Sequence, residues 1–533
     1  MDERTVITIG REFGSGGHEI GMKLAEKLGI KCYDKELLEL AAKESGLCEE
    51  LFASQDEKPT NSFLYSLVMD TYSLGYTNSY VDMPINHKVF LAQFDAIKKL
   101  AERESCVIVG RCADYALEDN PYAVSVFIKA SLDERVQRIK RIYELNDSKA
   151  ADLIQKTDKR RASYYNYYSS KKWGEAKSYN LCIDSGLVGV DGAIDMILKF
   201  INIVNEEIAK LVAKQKELGY HVITDGEFRR TYWHLDFMWG FEGVAHEQTG
   251  SGVQFDGELA SLEDTYLVGK IKAKKHPFVE YFRYLKQFED ENTIAKYTIP
   301  APAQMFQQMI VPTNIETTRK YYATNEELIQ DIGVAYQDVI KQFYKAGCRN
   351  LQLDDCTWGA IVGDAAKQRY KALGIDLEDV KKQLLTVNNL ALEGRPEDMV
   401  ITSHICRGNY QSTFFTSGPY DTVADYVFAK ENVDALFLEY DDERSGGFAP
   451  LKKVSEDKKV VLGLITTKKP DLEDKEKVIN RIRQAEKYIP LERLCLSPQC
   501  GFASCAIGNK LTEEEQWAKL KLVKEIAEEV WGE

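Results

Sequence analysis

The chain has 533 residues, 44% of them hydrophobic and 29% charged, and a formal net charge of −15 at pH 7. This composition excludes a largely disordered chain. Its acidity argues against nucleic acid or an anionic membrane as the main partner, although a local basic groove can still hold phosphates. No apolar run approaches the roughly 18 residues of a membrane helix, and the charged Met-Asp-Glu-Arg start carries no legible signal peptide. The 11 scattered cysteines read as reduced thiols of a cytoplasmic enzyme rather than as a disulfide framework.

In chain order, Thr5–Gly10 reads as a buried strand, followed by a glycine-rich turn and a helix over Gly17–Leu28. Further buried strands are predicted at Cys106–Gly110, Ala123–Ala130 and Asn180–Asp184, with a helix from about Asp191 to Ile203. Strands separated by helices imply a parallel sheet with helices on both faces. A second, longer series begins near Asn205. Its strands are predicted at His221–Thr224, Tyr297–Ile299, Asn350–Asp354, Met399–Ile405, Ala435–Tyr440, Val460–Ile465 and Leu494–Pro498, with helices such as Asn325–Ala346 and Asp474–Tyr488 between them. Seven such units suit a (β/α)8 barrel short of one strand better than an open sheet. The expected fold is therefore α/β, with domains at 1–203 and 204–533 and no Pro/Gly/Ser-rich linker at the seam.

The second half holds the most informative residues. His404 and Cys406 fall two residues apart near a strand end, so they share a face. Glu439 lies near the end of the next strand, and Cys500 follows the last. In a barrel these ends meet at the C-terminal rim, where barrel active sites lie. One His, two Cys and one Glu make a tetrahedral zinc set; the alternative is that His404 and Cys406 are buried core residues.

The segments ITDGEFRRTYWHLDFMWGFEGV, LQLDD, SHICRGNY, LFLEYDDERSGGFAPLK and LSPQCGFAS resemble the catalytic domain of cobalamin-independent methionine synthase, closest to its short single-barrel members. The resemblance implies a catalytic Zn2+ on His404, Cys406, Glu439 and Cys500, and homocysteine held through its amino group by Glu227 and Asp354. It further implies transfer of a methyl group from a reduced folate or another carrier to give methionine. The resemblance begins at the helix Glu206–Leu218, without the family's first barrel strand, so either the barrel keeps an exposed edge, which would invite pairing with a second copy, or a segment of the first half or a second chain fills the gap. Asp355, on the opposite strand face, is expected to be structural, and Cys505 to have no role. Tyr232, Trp233, Phe237 and Trp239 are expected to pack and His234 to be a satisfied histidine; Arg229 and Arg230 read as solvated surface arginines, with contact to a substrate carboxylate or a polyglutamate tail as the alternative.

In the first half, Gly10-Arg-Glu-Phe-Gly-Ser-Gly-Gly-His18 joins strand to helix. Such a turn offers backbone N–H groups and a helix N-terminus to an anion, but a tight structural turn reads equally well. The full phosphate-loop pattern wants Lys and Ser/Thr where this chain has Gly17 and His18. The segments ITIGREFGSGGHEIG, CYDKELL, VIVGRCADYAL and IKASLDERVQRIKR resemble the cytidylate-kinase-like family. That resemblance implies ATP/Mg2+ phosphates on Gly14, Ser15, Gly16, Gly17 and His18, and a CMP-like monophosphate on Arg111. Arg135, Arg138 and Arg141 would steady the transferred group, with Arg160 and Arg161 nearby and Arg11 compensating for the absent lysine. An ordinary charged helix face is the competing reading of the three spaced arginines. Two readings compete with methyl transfer to homocysteine: zinc-dependent alkyl transfer with another thiol or donor, and a non-catalytic barrel with structural zinc tethered to a nucleotide sensor.

Overall fold

The computed structural model describes residues 5–34, 36–45, 85–118, 120, 122–169, 171–247, 252–254, 259–261, 264–505 and 507–532. In the first unit, β1 (Val6–Arg11), β2 (Lys31–Tyr33), β3 (Cys106–Val109), β4 (Ala123–Lys129) and β5 (Leu181–Asp184) form one parallel sheet in the order β2-β3-β1-β4-β5. Alternation along β1 and β3 divides the core. Val6 and Ile108 face the helix Ile85–Arg103 through Val89, Ala96 and Ile97, whereas Ile7, Ile9 and Val107 face the helix Gly17–Leu28 through Ile20 and Leu24. A strand apolar on both faces is what a parallel sheet covered by helices requires. The helix Leu132–Tyr143 starts at Ser131, whose hydroxyl accepts from the Glu134 N–H in a capping box.

The second unit contains β6 (Val222–Ile223), β7 (Glu242–Glu247), β8 (Gly252–Gln254), β9 (Leu259–Ser261), β10 (Asp264–Lys272), β11 (Ile294–Pro300), β12 (Asn350–Asp355), β13 (Val400–Ile405), β14 (Ala435–Glu439), β15 (Lys459–Ile465) and β16 (Leu494–Pro498). Seven of these pair in parallel in the order β6-β11-β12-β13-β14-β15-β16, the sheet of a TIM-type barrel. Among the described residues no strand joins β6 to β16, so both remain edges. Tyr220 spans part of that side, its hydroxyl donating to the Leu520 carbonyl at 2.8 Å. The helix Glu513–Trp531, which packs on β16, begins at the capping box of Thr512 and Glu515.

The outward faces of the barrel strands are apolar: Tyr297, Ile299, Leu351, Leu353, Ile401, Leu436, Leu438, Val460 and Leu462 are buried under the surrounding helices. Their inward neighbours are mostly polar and line a cavity of about 1280 Å3, among them Lys296, Thr298, Asn350, Gln352, Asp354, Thr402 and His404.

The division into two compact units falls between Ile203 and Val204. That point lies inside a helical stretch, Ser185–Glu217, interrupted only at Gly189 (φ 72°, ψ 175°), where two helices had been expected. Sequence reasoning also missed β2, which is three half-exposed residues long, and the antiparallel ribbon of β7 and β10 outside the barrel. No described helix is long and apolar enough to cross a membrane.

Candidate functional site

Strand alternation places His404 on the inner face of β13, and the chain turns inward again at Cys406. Glu439 ends β14, fully buried, and Cys500 lies in the loop after β16. One ligand atom from each of these four residues lies within 4.8 Å of the others. The Cys406 and Cys500 sulfurs are 3.8 Å apart; two sulfurs each about 2.3 Å from a tetrahedral ion are separated by about 3.8 Å. Two further atoms wait for a partner, since His404 Nε2 and Glu439 Oε2 are buried without a hydrogen bond. A buried polar atom left unpaired is costly, and a cation satisfies both. The donor set therefore fits zinc.

The surrounding chain fixes these ligands. The Arg407 N–H donates to Glu439 Oε1 at 2.8 Å, and the Gly408 N–H to the Cys406 sulfur at 3.3 Å. Asn409 donates to the Gly501 carbonyl at 2.6 Å, while the Ser504 hydroxyl donates to the Asn409 carbonyl at 2.6 Å, tying the Cys406 loop to the Cys500 loop. Gly359 presses on Cys406 from the neighbouring turn: a Cβ there would lie 2.2 Å from the Cys406 carbonyl oxygen. The two thiols are held neutral. Contact with Cys356 raises the Cys406 pKa, contact with Cys406 raises that of Cys500, and burial adds to both.

Glu227 and Asp354 line the same cavity. Glu227 follows Gly226 in a turn where both residues are left-handed, at φ 59° and 64°. That costs a non-glycine residue roughly 1–3 kcal/mol, a strain typical of functional sites. Its Oε1 accepts from Thr298 at 2.5 Å and from Arg230 at 2.8 Å. Burial raises its pKa against the pull of Arg230, with the Asp354 carboxylate adding to the rise. Asp354 is raised by burial as well, opposed by the hydrogen bond from Gln352. Cross-strand register sets Asp354 beside His404, which joins the carboxylate pair to the metal-ligand cluster.

Residues 192–529 match the family model described as "Cobalamin-independent synthase, Catalytic domain". The chain belongs to this family. Residues 6–187 match the model described as "Cytidylate kinase-like family". A Bacillus subtilis (strain 168) relative, "Uncharacterized protein YxjH", is 44% identical over 331 residues, which are 62% of this chain and 86% of the relative. A methionine synthase of Saccharolobus solfataricus is 24% identical over 333 residues, 61% of this chain and 85% of that protein. A crystal structure of the putative vitamin-B12 independent methionine synthase from Listeria monocytogenes is 37% identical, covers 63% of this chain and 89% of its own, and gives a TM-score of 0.49. The chain thus joins a methionine-synthase-like catalytic unit to a kinase-like unit.

Several neighbours in the synthase unit differ from expectation. Arg230 is not solvated but 7% exposed and bonded to Glu227, while Arg229 bonds Asn205 and lies over the Tyr281 and Tyr284 rings. His234 is not satisfied: burial lowers its pKa to about 3, and its Nδ1 has no hydrogen-bond partner. The aromatic run divides, with Tyr232 and Trp233 on the cavity wall and Phe237 in the core. Trp239 stacks on His246 at 3.9 Å. Asp355 is fully buried and caps the turn at Thr357, its Oδ1 accepting that N–H at 2.7 Å. Cys505 also lines the cavity. Sequence reasoning missed Cys356, although it stands two residues after Asp354 on the same face, which was the available signal.

In the kinase-like unit, Gly14 and Gly16 adopt φ of 87° and 86°, and Gly17 opens the helix Gly17–Leu28. Gly14, Ser15, Arg138 and Arg141 border a cavity of about 460 Å3. Ser15 turns its hydroxyl inward, donating to the Glu12 carbonyl at 2.9 Å and the Ile128 carbonyl at 3.1 Å. A Cβ on Gly17 would come within 2.5 Å of Arg11 Cβ, so the Arg11 stem fills the space beside the glycine. Arg138 pairs with Glu19, and Arg135 donates to Asp158 at 2.5 Å. Arg111, itself left-handed at φ 56°, donates to Asp34 at 2.8 Å; His18 also faces Asp34, at 3.4 Å. Arg160 is exposed, whereas Arg161 donates to the Arg11 carbonyl. The structure therefore gathers Gly14, Ser15, Arg138 and Arg141 around one cavity, with Arg111, Arg135 and Arg138 each paired to a carboxylate.

Proposed function

We propose that the synthase unit, 204–533, transfers a methyl group to a thiol in a zinc-dependent reaction. Homocysteine is the acceptor and a reduced-folate type carrier the donor. The observation that carries this reading is the four-donor cluster, with its 3.8 Å sulfur separation, lining one cavity with Glu227 and Asp354, of which Asp354 is the register partner of His404. Zinc on two thiolates, one carboxylate and one imidazole carries a formal charge of minus one, which keeps a substrate thiol deprotonated yet nucleophilic. Glu227 and Asp354 would hold the substrate ammonium, with Arg230 and Thr298 fixing the Glu227 oxygen that faces them. The cavity, about 1280 Å3, exceeds the roughly 300–1,000 Å3 of a usual ligand pocket. That leaves room for a donor beside the acceptor.

Metal analysis combined with homocysteine titration tests the proposal. Wild-type protein is expected to hold one zinc and to bind the thiol, and Cys406→Ser or Cys500→Ser to lose both metal and transfer. Transfer surviving metal loss refutes it. Chelation that unfolds the protein while no turnover is ever seen favours a structural zinc instead.

A second reading concerns the kinase-like unit, 1–203, where the loop cavity with Arg138 and Arg141 favours binding of nucleotide phosphates, as ATP/Mg2+ with a CMP-like acceptor. A CMP-phosphorylation assay on the same sample separates the two activities. Nucleotide binding without turnover would mark this unit as a sensor.

A further inference from the structure

Lys296 sits in the interior of the barrel and takes no part in the chemistry above. β11 turns Lys296, Thr298 and Pro300 to the same face; Thr298 bonds Glu227, and Pro300 is the register partner of Asp354. From this position the Lys296 side chain crosses the cavity and sets its Nζ 3.9 Å from the centroid of the Phe437 ring, and Phe437 is the register partner of His404. The ammonium thus lies inside the barrel beside β14, the strand that carries Glu439, with Asp354 the carboxylate that acts on it. Among the described residues it makes no hydrogen bond and no ion pair. Burial pushes its pKa down to about 8, with Asp354 pulling it back up.

An ammonium inside a barrel that lacks a hydrogen-bond partner is costly, and buried oxygens beside it are unpaired as well. Asn350, the register partner of Lys296, has an unpaired side-chain oxygen, as does Thr402. Two other cations border the cavity. Arg407 donates through Nη1 to the Gly418 carbonyl and stacks on Tyr420, with Nε and Nη2 buried and unpaired, and Lys459 sits at the exposed start of β15. An amino-acid thiol brings one ammonium, matched by Glu227 and Asp354, and one carboxylate, for which Lys296 is the matching group.

We propose that Lys296 is the carboxylate contact of the thiol site, so that the site selects thiols bearing both an ammonium and a carboxylate. This rests on the thiol-transfer reading and names the residue that would meet the acceptor's carboxylate, which that reading leaves unassigned.

The test compares homocysteine with 3-aminopropane-1-thiol, which is the same molecule without its carboxylate. Both are titrated into zinc-loaded wild-type, Lys296→Met and Lys296→Arg protein, with Trp233 fluorescence or heat as the signal. Wild type is expected to prefer homocysteine by a factor on the order of 10 to 100, the range of a charge-assisted hydrogen bond. Lys296→Met is expected to erase that preference without weakening the affinity for the aminothiol, and Lys296→Arg to restore part of it. A preference that persists in Lys296→Met, or an equal loss for both thiols, overturns the assignment. Wild-type protein that binds both thiols equally also overturns it while leaving the thiol reading intact. Wild-type protein that binds neither overturns both. Loss of a buried unpaired charge should leave Lys296→Met folded, which a thermal melt verifies.

Discussion

Gly359→Ala is a single methyl group aimed at the metal centre from outside it. The added Cβ would stand 2.2 Å from the Cys406 carbonyl oxygen, whereas carbon and carbonyl oxygen settle at about 3.3 Å or more. The turn after β12 and the end of β13 must therefore separate by about 1 Å. Zinc ligand distances hold to within about 0.2 Å of ideal, so a Cys406 displaced by even a fraction of that shift leaves the tetrahedron. Disturbing the groups that position a ligand typically costs roughly 10- to 100-fold in metal affinity, and overpacking adds about 1–3 kcal/mol of instability. Competition for zinc against a chromophoric chelator measures the first effect, and thermal unfolding the second. Gly447→Ala is the control, because nothing lies within 4 Å of its added Cβ. Wild-type zinc affinity in Gly359→Ala would refute the claim that this turn braces the ligand.

Three other outcomes follow from the same geometry. Because the Cys406 and Cys500 pKa values are raised and that of His404 is raised as well, zinc loading at neutral pH should release at least about two protons, which a weakly buffered indicator assay counts. Glu227 and Asp354 titrate as a pair between about 6 and about 7, so affinity for an aminothiol should rise as pH climbs through that window, measured by calorimetry. Their folded pKa values lie above the unfolded ones, so the stability this pair contributes is present in acid and lost as pH rises to about 7. Asn388 donates to Asp355 at 3.0 Å and to Glu431 at 2.7 Å, and accepts from the Ala303 N–H at 2.8 Å, all of them buried. Asn388→Leu strands three polar groups at once and should cost about 3–5 kcal/mol in urea unfolding; a loss under about 1 kcal/mol would contradict the network.

Most of the barrel strands were legible because their outward positions are held by Leu, Ile and Val, and the candidate metal cluster because His404 and Cys406 sit at a strand end where alternation fixes their face. What escaped the sequence depends on the third dimension. Arg230 resembles any arginine beside another, and only the Gly226–Glu227 turn folds it back onto a carboxylate. Lys296 alternates with Thr298 like a half-exposed strand residue, and pattern alone cannot distinguish solvent from the inside of a barrel. Cys356 needed the register of β12 against β13 before it could be set beside Cys406. The ribbon of β7 and β10 carries too few buried residues to stand out from a loop.

Among the described residues β6 and β16 stay unpaired with each other, and the interior of the sheet is polar. A closed barrel fills its centre with layers of branched apolar side chains. Here the central positions are held by Lys296, Asn350, Gln352 and Thr402, which cannot fill a core without leaving polar atoms unpaired. The apolar burial that supports the unit lies instead between the outward strand faces and the helices, where Leu351, Leu353, Ile401, Leu436 and Leu462 are sealed from solvent. Each such side chain contributes roughly 1.5–3 kcal/mol. Stability and site are therefore carried by opposite faces of the same strands: a substitution such as Leu353→Ala acts on folding, and one such as Gln352→Leu acts on the cavity. An eighth strand is not needed to hold the metal ligands together, because β13, β14 and β16 bring all four of them from the side of the sheet that is fully paired through β15.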